Sequence, residues 1–217
     1  MSGRRGAIKA VIWDFNGTLI NDSELCVRSV NAQLDRRDLP TLTVETYRDV
    51  FGFPVADYYR RIGLNPDVEP MSDLSAEFFA TYAPGLSSCP LHEGVQPTLH
   101  ALRDAGIRQF ILSAMEQEIL EETLAQLGIA EFFDGVYGLS HLEGDSKLDR
   151  GRELFADFSI DPATTLMVGD TAHDAEVAVE LGMQIALVGT GHQSEARLRS
   201  TGVDVLQGAA GILSLLD

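Results

Sequence analysis

From Pro90 onward, short apolar runs alternate with segments of helical periodicity, and this alternation constrains the fold more than any other feature of the chain. Strand–helix–strand repeats of this kind form parallel sheets that carry helices on both faces. We therefore expect an α/β fold. The expected strands are residues 7–13, 108–112, 135–137, 164–168, 184–188 and 203–206, and the expected helices are residues 94–105, 116–127, 147–158, 172–181, 193–200 and 209–216.

The stretch from residue 20 to residue 90 has no strand pattern. It predicts helices only, at residues 22–38, 43–51, 55–62 and 72–82. The chain has 217 residues, of which 45% are hydrophobic, and this suits one core with a smaller insertion. We expect a Rossmann-like, doubly wound parallel sheet built from residues 1–19 and 91–217, with an all-α cap of residues 20–90 over its carboxyl edge.

The net charge, the cysteine count and the apolar runs limit the partners and the cellular compartment that we expect for this chain. The formal net charge of −17 argues against nucleic-acid and anionic-membrane partners. Cys26 and Cys89 are the only cysteines, too few for a disulfide framework in a chain of this length. Residues 1–6 have no apolar segment of a signal peptide behind them, and no apolar run reaches transmembrane length. We expect a cytoplasmic protein, and its oligomeric state stays open.

Ligands of open α/β sheets bind beyond the carboxyl ends of the strands, so the polar residues at those ends are the candidate site. They are Asp14, Asn16 and Thr18 after the first strand, Ser113 and Ala114 after the second, Asp170 and Asp174 after the strand at 164–168, and Lys147 at the start of a helix.

This set has the chemistry that phosphoryl transfer requires. An aspartate such as Asp14 can attack phosphorus and form an acyl phosphate. Asp14 and Asp170 supply the carboxylates that Mg²⁺ prefers, while Lys147 and the Ser113 hydroxyl can hold phosphoryl oxygens. Taken singly, each residue is equally compatible with a turn, a helix cap or a solvated surface. Their joint order along the chain predicts a Mg²⁺-dependent phosphoryl-transfer site.

The same stretches resemble the haloacid dehalogenase superfamily of phosphatases, in the branch with a helical cap after the first strand. The resemblance runs from about residue 8 to the C-terminus, and the chain looks most like the phosphoglycolate phosphatase-like group. The matching stretches are Asp14-Phe15-Asn16-Gly17-Thr18-Leu19, Leu112-Ser113-Ala114, Lys147 and Gly169-Asp170-Thr171-Ala172-His173-Asp174.

The resemblance implies a role for each matching residue. Asp14 would be the nucleophile and a Mg²⁺ ligand, and the backbone carbonyl of Asn16 a second ligand. Asp170 would hold the metal, and Asp174 would support the metal site or the lysine. Thr18, Ser113 and the adjacent Ala114 would bind the phosphoryl group, which Lys147 would neutralise while orienting Asp14.

Asn16 departs from the family pattern, which has an aspartate there to protonate the leaving oxygen and then activate water. A neutral amide does neither, and such general acid–base help is worth about 10²–10⁴-fold in rate. Slow turnover, a preference for good leaving groups, a substitute acid such as His173 or His192, and an engineered Asp-to-Asn change all stay open. We favour a natural asparagine.

The cap should set the substrate and move as a lid. The Gly52-Phe53-Pro54 loop lies where this family presents its specificity loop, so Phe53 and Arg48 or Arg60 are expected near the leaving group. The two chain crossings near residues 19–22 and 84–90 are rich in turn-forming residues and are expected to act as hinges.

The predicted function is hydrolysis of a small phosphorylated metabolite through an aspartyl-phosphate. The alternatives are a pseudo-phosphatase that binds phosphate ligands without significant turnover and a sugar-phosphate mutase. The resemblance also disfavours two other reactions of the family. Its carbon–phosphorus hydrolases use a cap lysine as a Schiff base, and residues 20–90 contain no lysine. Its dehalogenases lack the carboxylate metal site that Asp170 and Asp174 would supply.

Overall fold

The computed structural model describes residues 7–140 and 146–216. The expectations about residues 1–6 and the last residue of the core therefore lie outside the described residues. The sheet has six parallel strands in the order β3-β2-β1-β4-β5-β6. The strands are β1 (Ala10–Trp13), β2 (Arg108–Glu116), β3 (Gly135–Leu139), β4 (Thr165–Gly169), β5 (Gln184–Val188) and β6 (Val205–Leu206).

β1 lies at the centre of the sheet and ends level with its two neighbours. Trp13 is paired with Ile111 of β2 on one side and with Val168 of β4 on the other. All four residues of β1 are buried, as expected of a strand covered on both faces. The register brings the residues after β1, β2 and β4 to one edge, and the predicted doubly wound α/β fold is confirmed.

Nine α-helices complete the described part of the chain, with short 3₁₀ segments at Ala130–Phe132, Pro162–Thr164 and Ala209–Leu215. The α-helices are α1 (Ser23–Asp35), α2 (Val44–Val50), α3 (Val55–Arg61), α4 (Met71–Leu86), α5 (Val95–Asp104), α6 (Gln117–Gln126), α7 (Lys147–Phe158), α8 (Ala172–Leu181) and α9 (Glu195–Arg199). The segment at Ala209–Leu215 was expected to be an α-helix. None of the described helices is long and apolar enough to cross a membrane.

Helices α1–α4 lie between β1 and α5, as predicted for residues 20–90, and α1 packs on α4. One hydrophobic cluster joins Leu34 and Leu74 of these helices to Trp13 and Leu99 beneath the sheet. The division into a core and a separate cap at residues 20 and 90 stays a prediction.

Most observed boundaries differ from the expected ones by a few residues, and two of these differences affect β2 and α4. β2 continues to Glu116, through an irregularity in its pairing with β3, so Ser113 and Ala114 lie within the strand and not after it. α4 continues through Pro84 to Leu86, although proline removes a helix hydrogen bond. The extended turn packs closely on α1, since a Cβ on Gly85 would lie 2.5 Å from the Leu25 side chain.

Candidate active site

The turn after β1 fixes Asp14 at the carboxyl edge of the sheet. The Asp14 amide donates to the Val168 carbonyl at 2.8 Å, which ties the turn to β4. Gly17 has a φ of +74°, and a Cβ there would lie 2.4 Å from Asp170 Oδ2. A glycine is required at this position because both the backbone conformation and the close approach exclude a side chain.

Lys147 joins two of the predicted carboxylates. Its Nζ lies 2.5 Å from Asp14 Oδ1 and 2.6 Å from Asp174 Oδ1, and the residue is only 5% exposed. Burial lowers the pKa of Lys147, but Asp14 and Asp174 outweigh that effect and raise it. The side chain is therefore a fixed buried cation beside the expected nucleophile.

The start of α8 positions Asp174. Thr171 and Asp174 form a capping box, in which the Thr171 amide and hydroxyl both donate to Asp174 Oδ2, at 3.0 and 2.7 Å. The other oxygen, Oδ1, accepts from Lys147. Both oxygens of Asp174 thus accept from protein donors, one of which is Lys147.

Asp170 is held by two donors from different parts of the chain. Its Oδ1 accepts from the Thr18 hydroxyl at 2.9 Å, and its Oδ2 from the His192 amide at 2.6 Å. Thr18 was predicted to bind the phosphoryl group, and the structure shows that its hydroxyl donates to Asp170 and lies 3.3 Å from Asp14 Oδ2. The side chain is 1% exposed because the tight turn after β1 folds it under the site.

The three carboxylates of Asp14, Asp170 and Asp174 have oxygens within 4.8 Å of one another. Burial raises the pKa of Asp14, with Asp174 and Asp170 adding to the rise and Lys147 opposing it. Burial likewise raises the pKa of Asp170, to about 6. This cluster of hard oxygen donors carries more negative charge than Lys147 balances, which is the condition that a divalent cation relieves.

Ser113 and Ala114 both line the cavity above Asp14, as predicted, although they do so from within β2. The Ser113 side chain is buried, and its Oγ accepts from the Met115 amide at 3.0 Å.

Asn16 belongs to a buried polar network that the sequence did not reveal. Its Nδ2 donates to Asp22 Oδ2 at 2.9 Å and to the Tyr82 hydroxyl at 2.8 Å. Tyr82 in turn donates to Asp22 at 2.6 Å, and His192 Nε2 lies 3.1 Å from Asp22 Oδ1. The His192 Nδ1 atom lies 3.1 Å from the Tyr47 hydroxyl.

Asp22 lies at the N-cap position of α1, but its carboxylate makes no cap hydrogen bond. Burial raises the pKa of Asp22, but the neighbouring His192 and hydrogen bonds from His192, Tyr82 and Asn16 lower it to about 2. Burial lowers the pKa of His192, but Asp22 and the site carboxylates raise it to about 9. The two side chains form a buried ion pair, and no local sequence pattern links residues 170 positions apart.

A cavity of about 370 Å³ opens between the sheet edge and α2–α4. Phe53 lines it, as predicted, and its ring lies 4.8 Å from that of His173, which also lines it. Arg48 and Arg60 do not line it. Arg48 donates to the carbonyls of Thr190 and Gly191, and Arg60 pairs with nearby acidic residues at the surface.

Fold and site define a doubly wound α/β protein with an aspartate–lysine site at the carboxyl edge of its sheet. Residues 11–188 match the family of haloacid dehalogenase-like hydrolases, and the chain belongs to that family. The predicted family and enzyme class, a phosphatase of the haloacid dehalogenase type, are confirmed.

The chain is similar over most of its length to named relatives and to a solved structure. The chain is 28% identical to the tyrosine-protein kinase PtkA of Mycobacterium tuberculosis, over 93% of this chain and 69% of the relative. It is 27% identical to a phosphoglycolate phosphatase of Rhodospirillum rubrum, over 86% of this chain and 82% of the relative. The structure of a haloacid dehalogenase-like hydrolase from Streptococcus pneumoniae superposes with a TM-score of 0.83 at 23% identity, covering 97% of this chain and 99% of that one.

Proposed function

We propose that the protein is a Mg²⁺-dependent phosphoric monoester hydrolase that acts on a small phosphorylated metabolite through an aspartyl-phosphate. The observation that carries this proposal is the position of Lys147, within 2.6 Å of both Asp14 and Asp174. A buried cation beside a buried carboxylate can orient Asp14 and neutralise an incoming phosphoryl group. The names of the relatives, a phosphatase and a kinase, both describe phosphoryl transfer.

In the proposed reaction, an Asp14 oxygen attacks phosphorus and the bond from phosphorus to the ester oxygen breaks. Ser113 and the backbone around Ala114 hold the phosphoryl oxygens together with Lys147. Water then attacks the phosphorus of the acyl phosphate, which releases phosphate and restores the Asp14 carboxylate. Asn16 donates its amide hydrogens to Asp22 and Tyr82 and supplies no proton to the leaving oxygen, so turnover should be slow for poor leaving groups.

Mg²⁺ fits the donor set, since the three clustered carboxylates offer only oxygen ligands. Asp14, Asp170 and the backbone carbonyl of Asn16 would hold the ion, and Asp174 would support it through Lys147. When bound, the ion would neutralise charge on the phosphoryl oxygens. A cytoplasmic location, and the lack of nucleic-acid and membrane partners, belong to the same proposal.

Trapping of the intermediate tests this function. With Mg²⁺ and p-nitrophenyl phosphate, the wild-type protein should release nitrophenolate, and beryllium fluoride should bind at Asp14. Asp14→Asn should abolish release, whereas Asp104→Asn, at the exposed C-terminal end of α5, should match the wild type. Calorimetry should show that Asp170→Ala loses Mg²⁺ affinity.

The alternatives give different results in the same experiments. A pseudo-phosphatase would bind beryllium fluoride or phosphate at Asp14 without releasing nitrophenolate. A mutase would transfer the phosphoryl group from Asp14 to a sugar phosphate and not to water. Wild-type activity in Asp14→Asn would show that a different nucleophile is at work.

A further inference from the structure

The part of the cavity lining that comes from α2–α4 and the loops between them consists mainly of aromatic rings. Phe51 and Phe53 of the loop between α2 and α3 form one cluster with Tyr58 of α3, with centroid distances of 5.7 Å from Phe51 to Phe53 and 5.2 Å from Phe51 to Tyr58. Phe78 and Tyr82 of α4, with centroids 5.2 Å apart, form a second cluster on the same cavity. Such surfaces bind a further ring by stacking and edge contacts.

The helical region contributes no cation to this lining. Among the described lining residues, the cationic and histidine side chains are Lys147, His173 and His192. The two histidine rings lie 4.8 and 5.5 Å from Phe53 and Phe51, but each histidine already faces a carboxylate of the protein: His173 faces Glu176, and His192 faces Asp22. The Arg37 guanidinium, which points elsewhere, is bound to Glu69 and Glu77. A leaving group with a carboxylate or second phosphate would therefore lose its hydration without gaining a counter-charge, which is costly.

The amide at position 16 gives a separate reason to expect an aromatic leaving group. A phenol has a pKa of about 10, so its oxygen can depart as phenolate without a proton. An aliphatic alkoxide needs a general acid, and position 16 holds an amide that already donates to Asp22 and Tyr82.

Resting on the function proposed above, we propose that the substrates are small phosphate monoesters of phenols whose ring carries no second charge. Asp14 attacks phosphorus, and the electron pair of the broken P–O bond leaves on the phenolate oxygen. Water then hydrolyses the acyl phosphate as before. A volume of about 370 Å³ lies within the range of about 300–1,000 Å³ typical of small-molecule sites.

A matched substrate pair tests the charge exclusion. The carboxylated phenolate of 4-carboxyphenyl phosphate is the better leaving group, so chemistry alone favours it over phenyl phosphate. We expect the enzyme to reverse this order, so that kcat/KM is about tenfold or more higher for phenyl phosphate. The difference should come from a higher KM for 4-carboxyphenyl phosphate, because its carboxylate binds without a counter-charge. Ser75→Arg places an arginine in the cavity and should lower the ratio of kcat/KM for phenyl phosphate to kcat/KM for 4-carboxyphenyl phosphate. Ser72→Arg, at an exposed position of the same helix α4, should leave this ratio unchanged.

The outcomes separate this inference from the function on which it rests. Equal or better turnover of 4-carboxyphenyl phosphate, or of 2-phosphoglycolate over phenyl phosphate, overturns the substrate class while leaving the hydrolase intact. Faster turnover of a phosphotyrosyl peptide than of phenyl phosphate overturns the small-molecule assignment. If no monoester is hydrolysed and Asp14 is never phosphorylated, the proposed function itself fails.

Discussion

At the scale of single residues, the side chains that surround Asn16 determine how a change at this position would act. The sequence predicts that an amide at this position removes a general acid. The structure adds that the amide bridges Asp22 and Tyr82, with its nitrogen 2.9 Å from Asp22 Oδ2. A carboxyl group placed there would meet a buried carboxylate at hydrogen-bond distance, and two carboxyl groups so close share a proton.

We therefore expect Asn16→Asp to carry its own proton at neutral pH and to act as a general acid. Its kcat should rise by about 10²-fold on 2-phenylethyl phosphate, whose alkoxide needs a proton, and much less on p-nitrophenyl phosphate. Steady-state kinetics on both substrates measure this difference. Asn21→Asp, at an exposed position nearby, is the matched control.

A neutral or harmful effect of Asn16→Asp on both substrates would contradict this prediction. It would point to His173 or His192 as the acid. His192 already bonds to Asp22 and lies near Tyr47, whereas His173 lies near Glu176 and Phe53.

At the scale of secondary-structure elements, the capping boxes of α2 and α8 can be compared, because only the second contains a residue of the candidate active site. Thr43 caps α2 by pairing with Thr46, and Thr171 caps α8 by pairing with Asp174. The sequence predicts both helix starts from their residue types. The family resemblance leaves open whether Asp174 supports the metal site or Lys147, and the residue pattern alone does not show the contact with Lys147, which spans 27 positions of the chain.

Removing each cap should separate stability from catalysis. Thr171→Val and Thr43→Val should each lower the free energy of unfolding by about 1 kcal/mol. Only Thr171→Val should also lower kcat, by about 10–10²-fold, because Asp174 loses a donor and Lys147 its fixed position. Denaturant unfolding and steady-state kinetics provide the two measurements. An equal effect of both variants on kcat would show that the α8 cap is structural only.

At the scale of the whole molecule, local pattern predicts the sheet, its helices and the residues at its edge. Asp14, Asp170, Asp174 and Lys147 were found because each follows or opens an element of regular periodicity. The partners of Asp22 and His192 could not be predicted in this way. Their contact depends on how the helical region packs on the sheet, which periodicity within either segment does not encode.

Contacts between α2 and the loop after β5 should control the predicted lid motion. Arg48 donates to the carbonyls of Gly191 and Thr190 at 2.8 and 2.9 Å, and its own carbonyl accepts from the Ser194 amide. Arg48→Ala should raise KM and speed amide hydrogen exchange in α2 and at residues 19–22 and 84–90. Arg60→Ala, which removes a surface ion pair of the same region, is the control.

Binding of Mg²⁺ and beryllium fluoride should slow exchange at those two crossings in the wild-type protein. Unchanged exchange there, with and without the phosphate mimic, would indicate a cap fixed on the core.

The buried Asp22–His192 pair should make stability fall at alkaline pH. The pKa of His192 is raised from its ordinary 6.5 to about 9, so its stabilisation is complete below pH 6.5 and is lost as pH rises to 9. The pKa of Asp22 is lowered to about 2, so its contribution is kept above about pH 4 and lost only in strong acid. The loss of stability at alkaline pH is therefore expected from deprotonation of His192.

Relative to the double variant Asp22→Asn/His192→Gln, the wild-type protein should lose about 2–3 kcal/mol of unfolding free energy between pH 6 and pH 9.5. Urea unfolding in EDTA measures this difference without bound metal. His100→Gln removes a histidine on α5 and should show no such divergence from the wild type. A difference between wild type and double variant that stays constant over this range would mean that the buried imidazole is neutral in the folded protein. Asp22 would then be a buried carboxylate held by neutral donors, including Tyr82, Asn16 and the Gly17 amide.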